Sequence, residues 1–181
     1  MLVVIVGMPC SGKTTALDVC KELGADPVSS GDVVREEIEK RGLPYTEETD
    51  RDVAGWFHEK GRERVLVQRV LARLKSNPKT DFVAIDGLRD VVQLKILEEL
   101  AGVKPVVISV EAPFGERLRR CLLRKRFEEE DKAYLLSRDE VENARGLGRL
   151  ISKADHAFDT EGMDEATFRR EFGKFIRKLL M

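Results

Sequence analysis

Cysteine, tryptophan, histidine and the side-chain amides are all scarce in this chain. The three cysteines, Cys10, Cys20 and Cys121, are odd in number and lack metal-ligand spacing, which argues against a disulfide framework or a zinc site and for a reduced cytoplasm. No apolar run nears the length that spans a bilayer. The opening MLVVIVG is too short for a signal peptide and has no basic leader, so the sequence predicts a soluble intracellular protein with no membrane partner. Neither sign of charge is in excess: the net charge is -1 although 36% of residues are charged, and the absence of a basic tail argues against a nucleic-acid partner. High charge with few Asn and Gln also suits a hot-living source. What remains is 181 residues with 42% hydrophobic content, enough for a single domain over 1–181 with a sizeable core. Monomer and small homo-oligomer are both compatible with it.

Short apolar runs recur: LVVIV at 2–6, PVS near 28, FVAID at 82–86, VVISV at 106–110 and HAF at 156–158. Continuous β-branched runs separated by helical stretches read as buried parallel strands, hence an α/β fold. DVVQLKILEELA, 90–101, begins with an aspartate able to cap and places Val91, Leu94, Leu97 and Leu100 at helical spacing. The polar stretch RGLPYTEETD, 41–50, predicts a loop between helices, and the charged 126–140, whose periodicity is poor, predicts a mobile flap.

GMPCSGKTT, Gly7 to Thr15, matches G-x-x-x-x-G-K-[ST] between a strand and a helical stretch. In that setting the backbone amides of Gly7, Pro9, Cys10, Ser11, Gly12 and Thr15 and their neighbours (proline excepted, which has no N–H) cradle phosphate oxygens. Lys13 reaches the β and γ groups, and the Thr14 hydroxyl can ligate Mg²⁺. Cys10 stands where glycine is common, and its thiol makes the turn sensitive to oxidation. No DxxG with N-K-x-D is present to read guanine, since NPKTD at 77–81 has one residue too many. Gly87 follows Asp86 where water-activating ATPases carry glutamate, so the favoured nucleophile is a bound acceptor rather than water.

The stretch SSGDVVREE opens a helix with Ser30, Gly31 and Asp32 and carries Arg35 on its first turns. Small residues at a helix amino end attract an anion, and a guanidinium can hold phosphate through two hydrogen bonds. A simple helix cap is the competing reading. Asp86 ends a strand at its carboxyl side, where ligands bind in open α/β sheets. In FGERLRRCLLRKR, Arg117, Arg120 and Arg124 share one helical stripe. Like charges so stacked repel unless an anion screens them, and arginines aimed at a transferring phosphoryl group accelerate transfer by roughly 10³–10⁵. Arg124 and Arg126 are the leading catalytic candidates, with Arg117, Arg120 and Arg138 in support. A solvated basic face is the alternative. Trp56 and His58 read as packing residues or, less simply, as a base-stacking pair.

Taken in order, GMPCSGKTT, SSGDVVR, IDGLR, RLRRCLLRKR, SRDE and ADHAFDTEG resemble the nucleoside monophosphate kinase group, most of all an archaeal adenylate-kinase-related subset. The resemblance covers nearly the whole chain. It implies a doubly wound five-stranded parallel sheet, an acceptor-binding insert near 30–77, an arginine-rich lid near 117–145, and phosphoryl transfer from Mg·ATP to a small phosphorylated acceptor. By the same resemblance Ser30 lies near the acceptor, and Asp32 and Asp86 join Thr14 around Mg²⁺. Arg35 and Arg89 clamp the acceptor phosphate, Arg69 faces its pocket, and Arg120 serves the nucleotide. Asp159, Thr160, Glu161 and Gly162 resemble the loop that reads the donor base. Adenylate kinases carry a proline and one more residue within IDGLR, so the departure leaves the acceptor open. Two further readings stay open: a nucleotide-switched ATPase in RNA or ribosome maturation, and a dephospho-coenzyme A type kinase on the same scaffold.

Overall fold

The computed structural model describes residues 1–75, 81–124 and 131–181. Their elements run β1 (Leu2–Val6), α1 (Lys13–Glu22), β2 (Asp26–Ser29), α2 (Ser30–Lys40), α3 (Glu47–Phe57), α4 (Glu63–Lys75), β3 (Val83–Asp86), α5 (Val91–Ala101), β4 (Val106–Glu111), α6 (Phe114–Arg124), α7 (Lys132–Arg145), α8 (Leu147–Ile151), β5 (His156–Asp159) and α9 (Glu165–Leu180). The five strands form one sheet in the order β2-β3-β1-β4-β5, parallel throughout, with Val4 level with Ile85 on one side and Val107 on the other. The helices lie on both faces, so the doubly wound arrangement expected from the sequence is present.

Strand alternation divides the core in two. Leu2, Val4, Val6 and Ile85 point toward one face and pack with Val33, Ile38, Phe57, Val70 and Leu97 from α2 to α5. Val3, Ile5, Ala84, Ile108 and Val110 point to the other and meet Ala16 and Val19 of α1 and Phe168, Phe172 and Ile176 of α9. Each fully buried side chain of this size contributes about 1.5–3 kcal/mol. Two such layers hold the carboxyl edge of the sheet rigid. At that edge lie the turn after β1, the start of α2 and Asp86 at the end of β3.

One sequence expectation needs correction, and a second segment proves more regular than its periodicity suggested. Within 41–50 only the first part is a loop: Thr46 and Thr49 exchange hydrogen bonds as a capping box, Thr49 N to Thr46 Oγ1 at 3.2 Å and Thr46 N to Thr49 Oγ1 at 2.9 Å, and α3 begins at Glu47. Within 126–140, residues 132–140 belong to the regular helix α7, capped by the Asp131 carboxylate accepting from Tyr134 N at 2.8 Å. Its apolar period is weak because buried positions are given to charge: Glu142 is as buried as Leu135. Residues 126–130 of that stretch, and 77–80 of NPKTD, lie outside the described residues. No helix among the described residues is long and apolar enough to cross a membrane.

Candidate functional site

The turn between β1 and α1 is shaped by two residues that cannot carry a side chain. A Cβ on Gly7 would strike the Val110 carbonyl and Ser11 Oγ, and one on Gly12, at φ 109°, would strike the Phe168 ring. Cys10 adopts φ 61°, and is alone among non-glycine described residues in the left-handed region. No side chain caps α1. Its first-turn amides therefore remain available to an anion. Lys13 Nζ donates to the carbonyls of Gly7 at 2.7 Å and Met8 at 2.9 Å, which holds the ammonium across the turn. Burial lowers its pKa to about 8, against the pull of Asp86 and Glu142 and with the push of Arg89 and Arg124.

Ser11 Oγ and Asp86 Oδ1 are buried without a hydrogen-bond partner in the protein. Orphaned polar atoms of this kind are costly unless a ligand satisfies them. The Thr14 hydroxyl belongs to an exposed residue on the same cavity wall. Among the described residues no three His, Cys, Asp or Glu side chains converge. A lone hydroxyl beside carboxylates does not make an all-protein cage; it suits Mg²⁺, which keeps waters and borrows phosphate oxygens. The residues present thus fit a nucleoside triphosphate with Mg²⁺. Asp32, the third expected metal neighbour, is in a close ion pair with Arg35.

Helix α6 closes over this turn. Arg117 is buried, grips Asp139 of α7 through both terminal nitrogens at 2.9 and 2.6 Å, and donates to the Pro9 carbonyl at 3.1 Å. Arg120 donates to the Ser11 carbonyl at 2.9 Å, Thr160 Oγ1 at 2.8 Å and the Thr160 carbonyl at 2.8 Å. These two arginines brace the turn, whereas Arg124 lines the cavity. Arg126 lies outside the described residues. A disulfide joins Cys10 to Cys121, their Cα atoms 5.6 Å apart, and leaves only Cys20 free and buried. This corrects the expectation of no disulfide: a pair 111 residues apart in sequence gives no spacing signal, and only the fold brings it together. Thr160 is fully buried and held by Arg120 and by the Glu111 carbonyl, so the cavity wall nearest it is made by Met163, Asp164, Glu165 and Phe168.

On the other flank the cavity, about 830 Å³ in all, is walled by Ser30, Arg35 and Asp50, by Arg89 after β3, and by Arg138, Glu142 and Arg145 of α7. That volume accommodates ligands of nucleotide size. Ser30 Oγ donates to the Gly87 carbonyl at 2.7 Å. Glu142 is buried and meets Arg89 Nε at 2.8 Å, Arg138 at 3.3 Å and Arg145 at 3.9 Å. Burial pushes its carboxyl up, but Arg89, Arg138, Arg145 and Lys13 outweigh that and hold it below the usual range. Asp50 goes the other way, with burial raising its pKa despite Arg138, Arg35, Arg89 and Arg145.

Arg35 and Arg89 therefore share the cavity wall. Arg69 does not: it bonds Glu37 at 2.6 Å and lies 5.5 Å from the Phe57 ring centroid. Trp56 is sandwiched by Arg41 at 4.6 Å and Arg62 at 4.5 Å, a packing role, while His58 reaches the cavity and contacts Gln93 at 3.3 Å. Sequence reasoning missed Asp50, Glu142 and Arg145. The spacing of Arg138, Glu142 and Arg145, four and then three residues apart, is the helical signal that marks them as one face.

A glycine-shaped turn with its lysine, at the carboxyl edge of a parallel β2-β3-β1-β4-β5 sheet, defines the class of P-loop, kinase-like nucleotide-binding proteins. The family described as AAA domain matches residues 6–134. A UPF0200 protein of Pyrococcus abyssi is 33% identical over 187 residues, covering 99% of this chain and 97% of that one. One of Aeropyrum pernix is 35% identical over 163 residues, covering 90% and 85%. A UPF0200/UPF0201 protein of Archaeoglobus fulgidus is 33% identical over 182 residues, and the match spans 99% of this chain but 55% of that longer relative. The chain belongs to the UPF0200 family, with an AAA domain of the P-loop kinase-like kind.

Proposed function

We propose that the chain is a Mg·ATP-dependent phosphotransferase that moves the γ-phosphate to a nucleoside monophosphate or a related phosphorylated small molecule. The observation that supports this best is the two-ended charge of one cavity: Lys13 and the uncapped amides of α1 on one flank, Arg35, Arg89, Arg138 and Arg145 on the other. One anion needs only one of these ends. Two phosphorylated ligands need both.

In this reading the turn amides and Lys13 hold the donor phosphates, and Thr14 and Asp86 hold Mg²⁺ and its waters. A Mg²⁺ ion held by these residues would offset the phosphate charge. Arg35 and Arg89 orient the acceptor phosphate in line. Arg124, which sits close enough to Lys13 to depress its pKa, neutralises charge on the moving group, and Arg126 is assigned the same role from the sequence alone. Ser30 and Asp32 fix the acceptor side through α2, and α2 to α4 and α6 to α7 correspond to the insert and lid. Gly87 after Asp86 leaves no carboxylate there to activate water, which favours transfer over hydrolysis. A small-molecule acceptor in the cytoplasm, rather than nucleic acid or membrane, completes the reading.

The test is a transfer panel with γ-labelled ATP and Mg²⁺ against each nucleoside monophosphate, dephospho-coenzyme A and water alone. A labelled acceptor product is expected. Free phosphate in every lane, at a rate indifferent to acceptor, would overturn the reading and favour a nucleotide-switched ATPase.

A further inference from the structure

Three consecutive residues of the turn before α1 are each tied to the same helix. Arg117 of α6 donates to the Pro9 carbonyl at 3.1 Å, Arg120 donates to the Ser11 carbonyl at 2.9 Å, and between them Cys10 is bonded to Cys121. The arginines hold the turn on both sides of Cys10, so its sulfur stays in place when the bond opens. The position of the bond is as informative as its presence. Cys10 and Cys121 both line the cavity, together with Lys13 and the first turn of α1, so the bridge is part of the wall that the phosphates of a nucleotide would face. Its two ends differ in access: Cys121 is 1% exposed, whereas Cys10 is half-buried. A thiolate opens a disulfide by attacking one sulfur, and access decides which. Here the open end is Cys10.

We propose that Cys10 is a thiol-exchange site whose reagent is a low-molecular-weight thiol, and that this thiol and a nucleotide compete for the same turn. In the first step the thiolate forms a bond to Cys10 Sγ as the Cys10–Cys121 bond breaks; the bonding pair leaves on Cys121 Sγ, which takes up the proton that the thiol gave up. The result is a mixed disulfide on Cys10, with no net oxidation. Cys121, held nearby by Arg117 and Arg120, can then attack Cys10 and expel the thiol, or a second thiol can displace the first as its symmetrical disulfide and leave both cysteines reduced. An adduct on Cys10 places bulk where phosphates bind, and bound phosphates cover the sulfur that the thiol must reach. Linkage makes the exclusion reciprocal. The proposal needs a nucleotide on the turn and not phosphoryl transfer, so it holds equally for a kinase and for a nucleotide-switched ATPase.

The experiment uses the full chain, with reduced glutathione as the thiol. Opening of the wild-type bridge is followed by trapping free thiols with iodoacetamide and mapping them by mass spectrometry. The glutathione adduct should map to Cys10 and the first free thiol to Cys121. Mg·ADP at about a hundred times its Kd should slow opening about a hundredfold, the factor for mutually exclusive binding. Adenosine, which lacks phosphates, should leave the rate unchanged. Cys121→Ser supplies the converse measurement, because oxidised glutathione exchanges with its Cys10 thiol to give an adduct that no neighbouring cysteine can expel. That adduct should weaken Mg·ADP binding about ten- to a hundredfold, while the unmodified variant binds as wild type does. An adduct at Cys121, an opening rate indifferent to Mg·ADP, or unchanged Mg·ADP affinity after modification of folded Cys121→Ser would each overturn the proposal. The mapping and the rates use wild type, so they decide the matter even where the variant does not fold.

Discussion

The Ser30 hydroxyl donates to the Gly87 carbonyl at 2.7 Å, which joins the first turn of the helix bearing Arg35 to the segment bearing Arg89. Gly87 adopts φ 99°, and a Cβ there would collide with Ser30 Oγ. Gly87→Ala therefore combines a strained backbone with a clash, and should cost about 2 kcal/mol or more. Ser30→Ala, which loses the hydrogen bond alone, should cost about 1 kcal/mol. Urea denaturation of both variants checks the ranking, and an alanine at 87 as stable as glycine would show that the junction is idle.

Lys13→Met should lower transfer by about 10²–10³, the cost typical of deleting one charge-stabilising donor. It should not lower thermal stability, because burial already disfavours the ammonium, whose pKa falls to about 8. Melting curves run beside the transfer assay separate the two effects. Parallel loss of both would place Lys13 among structural residues.

Arg35 and Arg69 should behave as opposites. Arg35 is 45% exposed and its ion pair among the described residues is with Asp32, itself 39% exposed, so Arg35→Ala should leave stability within about 1 kcal/mol while raising the acceptor KM. Arg69 serves Glu37, which it shares with Arg41 at 2.9 Å. Arg69→Ala should cost about 1 kcal/mol and leave acceptor kinetics alone. Steady-state kinetics with the acceptor varied decide the matter, and the reverse pattern would reassign both residues.

The strands were legible because each is a short apolar run that matches its observed bounds to within two residues, as LVVIV does with β1. The turn was legible because glycine, lysine and threonine at fixed spacing admit few other uses. Helix α7 was obscured by the residues that make it interesting, since Arg138, Asp139 and Glu142 face inward and erase the apolar period. Arg69 and Arg117 misled for a different reason. A guanidinium looks the same in sequence whether it awaits a phosphate or already grips a carboxylate, and Glu37 and Asp139 lie 32 and 22 residues away from them.

Acid should weaken the fold through Glu142, Glu37 and Asp90. Their folded pKa values lie below the usual range: arginines outweigh burial at Glu142, Arg69 and Arg41 act on Glu37, and His58 and the Gln93 amide outweigh burial at Asp90. The unfolded chain then takes up protons first as the pH falls. The stability these groups contribute is complete at neutral pH and drains away below about pH 4–5, where free carboxylates titrate. Asp50, with a raised pKa, carries the opposite sign and offsets part of the loss. Denaturation profiles from neutral pH downward should fall less steeply in Glu142→Gln than in wild type, and an identical acid limb would exclude Glu142 as a source.

Breaking the Cys10–Cys121 bridge, by reductant or Cys121→Ser, should lower stability by up to about 5 kcal/mol, the chain-entropy figure for a loop near a hundred residues. Helix α6 should stay docked, because Arg117 and Arg120 hold it to the same turn independently. Thermal melts with and without reductant test both statements, and equal melting temperatures would mean that the bond contributes nothing.

That bridge closes a covalent ring from residue 10 to residue 121 that contains β2, β3 and β4, while β5 and α9 follow it in the chain and are joined to the ring only at residue 121. A protease that nicks the chain between those cysteines yields two pieces that migrate as one until a thiol is added, whereas a cut beyond α6 sheds a fragment at once. The gel pattern with and without reductant thereby maps which side of the ring was opened.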